Sequence, residues 1–302
     1  MNLSHSSNSD PELNEILLGA YTYLCSLPGK DIRTQLINAF NSWFQVSNEK
    51  IDCIKDVIRM LHTSSLLVDD VEDNSDLRRG FPVAHKIYGI PATINTANYI
   101  YFLALKKVLE LNDPNLVGIF TDELIQLHQG QGMELYWRDN LLCPTEDQYI
   151  TMVSKKTGGL FRLAVRLIQA SSSINLDVIN LVDLLGVYFQ IRDDLMNVKS
   201  TEYSDNKGFF EDITEGKFSY PIIHAINNSK DKDQLLNIMR QKTRDNDVKK
   251  YAAQLVEHAG SIDFTINTLN SYESQIRSEI SKLPQNHQLV EILDYLCSQV
   301  KN

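Results

Sequence analysis

"IDCIKDVIRMLHTSSLLVDDVED", residues 51–73, holds two patterns at once. Ile51, Ile54, Val57, Ile58 and Leu61 recur at three and four residues, as one buried face of an α-helix requires. Carried on to residue 73, the same helix sets Asp69 and Asp73 one turn apart on one face, with Asp70 about 100° round from Asp69. Carboxylates set side by side repel, by roughly a few tenths of a kcal/mol on an exposed helix and by more once water is removed. The stretch therefore predicts a long helix whose end wants a counter-charge. Two readings are open at this point: a solvated acidic helix end, or a site where Mg2+ is shared between protein oxygens and a phosphate.

Helical periodicity extends through nearly the whole chain, as in Leu181, Leu184, Leu185 and Tyr188, and strand alternation is scarcely visible. The prolines (Pro11, Pro28, Pro82, Pro91, Pro114, Pro144, Pro221 and Pro284) fall between the periodic stretches, where helices start or stop. The pattern predicts one all-α domain over residues 1–302, a single-domain bundle of roughly ten to twelve helices. Longer polar loops are expected near 74–86 and 199–218, and a disordered tail over residues 1–10. No repeat or Gly/Ser linker divides the chain.

A chain of 302 residues that is 43% apolar can bury a sizeable core. Its formal net charge of −10 argues against a nucleic-acid binder or an anionic-membrane binder. Any anionic ligand must then be held by a local basic site. Cys25, Cys53, Cys143 and Cys297 lie far apart with no C-x-x-C pair, which suggests neither a zinc site nor a disulfide framework and suits a reducing compartment. The start, MNLSHSSNSDPELNE, has no signal-peptide pattern, and SQVKN matches no prenylation or peroxisomal signal, so the cytoplasm is expected. Residues 87–105 carry no charge, but Pro91, Asn95, Asn98 and two threonines make them a buried helix and not a membrane span.

A second acidic stretch weighs on the open choice. In "FQIRDDLMN", residues 189–197, Gln190, Asp193, Asp194 and Asn197 stand at i, i+3, i+4 and i+7, on one helical face, with Ile191, Leu195 and Met196 opposite. Two helices that each present an acidic face can close on a metal-phosphate cluster in the core of a bundle. Cations for a phosphate are scattered nearby. Lys30 and Arg33 follow a Pro-Gly turn at a helix start, Arg78 and Arg79 follow the first motif, and Lys155, Lys156 and Thr157 adjoin two glycines; Lys207 and Lys217 follow the second motif. Each alone reads as a solvated surface residue. Their position beside acidic motifs and glycine turns lifts the set.

These stretches resemble the trans-isoprenyl diphosphate synthases, and within them the geranylgeranyl diphosphate synthases of the animal and fungal kind. The resemblance is carried by LPGKDIR, MLHTSSLLVDDVEDNSDLRRG, INTANYIYF, ELIQLHQGQG, YWRDN, KKTGGLF, QIRDDLMN and EDITEGKFSYPIIHA, together spanning residues 27–225. It implies helices around a central prenyl-diphosphate cavity, with a homodimer or higher homo-oligomer as the assembly. Asp69, Asp73 and Asp193, with Asp70 and Asp194 as further catalytic carboxylates, would hold two or three Mg2+ ions on an allylic diphosphate. Lys30, Arg33, His62 and Arg79 match the isopentenyl diphosphate site. Arg78, Lys156, Thr157, Gln190, Lys207 and Lys217 match the allylic diphosphate contacts. Asn197 stands where many members place a third aspartate, a departure that the geranylgeranyl enzymes tolerate.

Helix geometry bears on product length. Ser65 lies one turn, about 5.4 Å, below Asp69 on the same face, with Ser64 beside it. The family's farnesyl synthases place aromatics there as a floor, and serines leave the path open. The resemblance puts the deeper stop at Tyr101, Phe102 and His128, hence a geranylgeranyl product; otherwise Tyr101 and Phe102 are core aromatics. Three rivals remain: a farnesyl diphosphate synthase, a terpene synthase, which would not need the isopentenyl diphosphate site, and a non-catalytic partner subunit, which would be free to lose carboxylates.

Overall fold

Asn48–Glu72 is one continuous helix, buried along Ile51, Ile54, Val57, Ile58, Leu61 and Leu67 as the apolar period requires. Asp73 ends it: the Asp73 N–H still reaches the Asp69 carbonyl at 2.8 Å, and Asn74 then turns left-handed at φ 51°. The structure, a computed structural model, describes residues 11–29, 31–199 and 209–301. The tail expected over 1–10, together with Lys30 and Lys207, lies outside the described residues.

In chain order the elements are α1 (Pro11–Leu17), α2 (Gly19–Ser26), α3 (Ile32–Phe44), α4 (Asn48–Glu72), β1 (Leu77–Arg78), β2 (Phe81–Pro82), α5 (Ala84–Tyr88), α6 (Ile90–Glu110), α7 (Pro114–Asp139), α8 (Glu146–Ala170) and α9 (Ile179–Lys199). Then follow α10 (Glu211–Glu215), α11 (Tyr220–Asn228), α12 (Lys232–Gln241), α13 (Asn246–His258), α14 (Ser261–Ser281) and α15 (His287–Lys301). The fifteen helices among the described residues exceed the expected number because α1, α5 and α10, of 7, 5 and 5 residues, are too short to show a period. Prolines sit in the first turn of α1, α6, α7 and α11, where a missing N–H costs nothing. Thr145 and Gln148 close a reciprocal capping box at the start of α8.

The long helices make the bundle. α8 lies between α7 and α9 and touches α4; α4 pairs with α6, α3 crosses α4 and α8, α14 covers α9, and α15 packs on α3. Ile54, Leu61, Leu163, Leu167, Ile168, Tyr188 and Ile191 are buried where they meet. A smaller apolar cluster of Ala20, Leu24, Leu27, Leu67, Ala84 and Ala97 seats α2 and α5 beside α4 and α6.

The first polar loop contains a two-residue hairpin with Leu77 opposite Pro82 and Arg78 opposite Phe81. Its turn residues, Arg79 at φ 57° and Gly80 at φ 81°, are both left-handed, as the tightest hairpin turn demands. That backbone turn sends the two adjacent arginines to different partners.

Two close helix approaches set the depth of the polar center. A Cβ on Gly130 of α7 would stand 2.6 Å from the Lys156 nitrogen and 2.9 Å from the Met152 carbonyl of α8, and one on Gly186 of α9 would stand 2.9 Å from the Gly158 Cα. Alanine at Gly130 would gain about 1 kcal/mol of helix propensity, but it would collide with backbone that cannot move aside. We therefore expect Gly130→Ala to destabilize the protein by about 1–3 kcal/mol in urea unfolding; equal or greater stability would mean that the α7–α8 contact is not fixed.

Candidate active site

The carboxylates at the end of α4 meet cations that arrive from three other elements. Lys156 of α8 donates to Asp69 Oδ1 at 3.3 Å and also pairs with Glu134 of α7. Arg78, on the hairpin, donates through Nε to Asp70 Oδ1 at 2.9 Å and through Nη2 to Asp69 Oδ2 at 3.3 Å. Arg138 of α7 donates to Asp73 Oδ1 at 2.6 Å. Gln131, two turns earlier on α7, donates to Glu72 Oε2 at 2.7 Å and Asp69 Oδ1 at 3.4 Å.

The three carboxylates of the first motif are not equivalent. Asp70, 1% exposed, is turned inward onto Arg78, whereas Asp69 and Asp73 keep side chains 19% and 10% exposed. Burial and the neighboring Asp69 and Glu215 carboxylates push Asp73 well above the ordinary carboxylate range. Burial alone would raise Glu134 as well, but Lys156 and Lys217 hold it below its ordinary value.

The second motif divides in the same way. Asp194, 1% exposed, accepts from the Tyr149 hydroxyl at 2.5 Å, the Tyr220 backbone N–H at 2.9 Å and Gln190 Nε2 at 2.8 Å, with Lys217 at 3.7 Å. Thr157 of α8 donates to Gln190 Oε1 at 2.7 Å, which joins α8 to this group. Asn197 is buried and accepts the Asp212 N–H at 3.3 Å, tying α9 to α10. Asp193 keeps a side chain 30% exposed, beside Arg192 at 3.0 Å. The single acidic face expected from the helical period is therefore graded: Asp194 and Asn197 are built into the interior, and Asp193 stays partly exposed, within electrostatic reach of Arg33.

A different group forms around Arg33. Its Nη1 donates to His62 Nε2 at 3.1 Å, and its guanidinium lies 5.7 Å from the Phe161 ring and 6.0 Å from the Phe189 ring. Arg79 donates to the Leu27 carbonyl at 3.1 Å. Arg33 Nε is buried and bonded to nothing, and neither arginine has an ion-pair partner among the described residues. Burial lowers Arg33 to about 10 and, with Arg33, Arg79 and Arg78 nearby, holds His62 well below its ordinary value. His62 is neutral and accepts at Nε2, which leaves Nδ1–H as its donor. The group is a cluster of two arginines and a histidine with hydrogen-bonding capacity to spare. Lys30 and Lys207, expected at the two diphosphate positions, lie outside the described residues.

Below Asp69, Ser64 is fully buried with its hydroxyl unbonded, and Ser65 donates to the His62 carbonyl at 2.8 Å. The Tyr101 and His128 rings pack at 5.7 Å across α6 and α7. Burial, with Glu72 and Asp69 within electrostatic reach, raises Tyr101 to about 12. Phe102 does not join them: it is 70% exposed on the outer face of α6, so it is not a core aromatic.

Gln131, Glu134 and Arg138 were not singled out from sequence. They stand at i, i+3 and i+7 in "GQGMELYWRDN", residues 130–140, a spacing that puts one polar stripe of α7 against the motif. Among the described residues no three Asp, Glu, His or Cys side chains converge to hold an ion unaided. The donor set is nevertheless all-oxygen, which suits Mg2+ completed by phosphate oxygens.

The sequence model of the polyprenyl synthetase family matches residues 14–256. A geranylgeranyl pyrophosphate synthase of Mucor circinelloides is 51% identical over 99% of both chains. One of Aspergillus fumigatus is 52% identical over 94% of this chain and 80% of its own. A terpene synthase of Matsumurasca onukii is 50% identical over 96% of both.

His62 also gives stability a pH dependence. The folded state keeps it neutral, whereas the unfolded chain protonates it near pH 6.5. Below that pH the unfolded state binds more protons, so the His62 contribution falls as pH drops through 6.5. We expect His62→Asn to lose less stability than wild type between pH 7.5 and 5.5 in urea melts; parallel losses would mean that His62 is not held neutral.

Proposed function

The chain belongs to the polyprenyl synthetase family, and from that premise we propose that it condenses isopentenyl diphosphate with dimethylallyl, geranyl and farnesyl diphosphates to give geranylgeranyl diphosphate. The observation that carries this reading is the separation of two cation groups. Arg78, Lys156 and Lys217 are paired with the carboxylates of a prospective metal site. Arg33 is hydrogen-bonded to His62 with Arg79 nearby, and neither arginine is ion-paired among the described residues. One group suits a diphosphate bound through metal, the other a diphosphate bound directly.

On this reading Asp69, Asp73 and Asp193 would hold Mg2+, as two or three ions, at the allylic diphosphate site. Bound there, Mg2+ supplies Lewis-acid withdrawal of charge from the leaving diphosphate. Lys156, Lys217, Arg78, Thr157 and Gln190, with Lys207, orient that diphosphate and take up the negative charge that develops on it. Arg33, His62 and Arg79, with Lys30, fix isopentenyl diphosphate so that its double bond meets the allylic cation. The new carbon–carbon bond leaves a tertiary cation, and a proton passes to the released diphosphate. Ser64 and Ser65 let the growing chain descend toward the Tyr101–His128 pair. Asp70 and Asp194 act through the groups they seat.

The terpene synthase relative favors one other reading, ionization without condensation. A buried arginine with an unbonded Nε beside a second arginine would then have no purpose. A homodimer or higher oligomer is supported by the outer faces of α6 and α7, where Ile90, Ile94, Phe102, Leu109, Ile125 and Tyr136 are 39–70% exposed. No described helix is long and apolar enough to cross a membrane. The four free cysteines support a reducing, cytoplasmic setting.

Incubation with Mg2+, isopentenyl diphosphate and each allylic primer, then phosphatase treatment, should yield geranylgeraniol; hydrocarbon released from an allylic diphosphate alone would favor the terpene synthase reading. Asp69→Ala should cut turnover by about 100- to 1,000-fold or more with the fold intact by circular dichroism. Ser65→Phe should shorten the product to farnesol. An unchanged rate in the first, or an unchanged product in the second, would remove that role.

A further inference from the structure

Arg138 has no part in the chemistry above, yet its surroundings are specific. It stands one residue from the end of α7 with its side chain 8% exposed. Nη1 donates to Asp73 Oδ1 at 2.6 Å, Nη2 to the Glu72 carbonyl at 3.1 Å, and Nε to Asp139 Oδ1 at 2.9 Å. Glu72 is the last residue of α4, so its carbonyl is one that the helix leaves unpaired, and a cation there also opposes the negative end of the helix dipole.

Asp69 lies within the helix that carries it, whereas Asp73 is its C-cap, tied on by an N–H bond to the Asp69 carbonyl, with Asn74 already left-handed. Arg138 adds a restraint on the Asp73 side chain that the helix does not give. Its planar fork grips the backbone of residue 72 and the side chain of residue 73 together, a geometry that a lysine ammonium cannot reproduce. It engages only Oδ1 of Asp73, and Oδ2 makes no hydrogen bond among the described residues.

We propose that Arg138 is a positioning residue that clamps the end of α4 and presents Asp73 to the metal. The proposal rests on the reading of Asp73 as a metal ligand. A cation beside a metal site can also act in the opposite direction, by repulsion. Asp139, paired with the guanidinium but 58% exposed, offsets only part of that field, so a variant that keeps the charge is needed to separate the two effects.

Charge and geometry separate in two variants. Arg138→Gln removes both, and Arg138→Lys keeps the charge and loses the fork. Mn2+ binding is read by electron paramagnetic resonance with inorganic diphosphate present, alongside Asp73→Asn as control. We expect Arg138→Gln to weaken Mn2+ binding by roughly tenfold or more and Arg138→Lys by an intermediate factor, with the KM for isopentenyl diphosphate unchanged and the Mg2+ requirement raised. Wild-type or tighter Mn2+ binding by Arg138→Lys would overturn the proposal even if Arg138→Gln fails to fold. A weakened Asp73→Asn beside an unaffected Arg138→Gln removes the clamp alone; an unaffected Asp73→Asn removes the metal-ligand reading and the clamp with it.

Discussion

The carboxylates gathered at the end of α4 are the constraint on which the center of this protein depends. Asp69, Asp70, Glu72 and Asp73 stand within one helical turn in a largely dehydrated setting, where like charges repel far more strongly than in water. The fold answers with partners from separate elements: Lys156 from α8, Arg78 from the hairpin, and Gln131 and Arg138 from α7. Each neutralizing contact is also a tertiary restraint. Satisfying the charges therefore fixes how α7, α8 and the hairpin lie against α4, and the Gly130 approach lets α7 and α8 come close enough to do so.

On the proposed reading, two of these partners, Lys156 and Arg78, are also groups that the reaction uses. Lys156 and Lys217 sit against Asp69, Glu134 and Asp194, and Arg78 against Asp69 and Asp70. Carboxylates suited to a metal and cations suited to a diphosphate neutralize one another. Metal and diphosphate arriving together would replace these internal pairs by external ones with little change in net charge. Either alone would leave a buried group of one sign uncompensated, at a cost of several kcal/mol. The Arg33–His62–Arg79 group is built on a different principle, since among the described residues neither arginine is ion-paired and carboxylates such as Asp193 and Asp31 act on Arg33 only at longer range.

Much of this was legible from the sequence, for reasons that also explain the rest. The long α4 and the shared face of Asp69 and Asp73 follow from a helical period that burial enforces. The same period placed Asp194 beside Asp193, but which of two adjacent aspartates turns inward depends on Tyr149 and Tyr220, which arrive from elsewhere in the chain. Arg78 and Arg79 read as one basic pair until a left-handed turn divided them between two sites. The stripe Gln131, Glu134 and Arg138 was present as a spacing, but charged residues on a helix ordinarily face water, and only the approach of α4 gives these a role. Phe102 shows the converse: α6 is apolar on more than one face, and packing alone decides which side points out.

The central claim is that the metal and diphosphate groups occupy each other until both ligands arrive. Isothermal titration of the purified protein with Mg2+ tests it most directly, performed with and without inorganic diphosphate, and repeated with diphosphate as titrant. The account predicts weak or undetectable binding of either ligand alone and much tighter binding of each in the presence of the other, with reciprocal enhancement as linkage requires. Mg2+ binding of equal strength with and without diphosphate would contradict it.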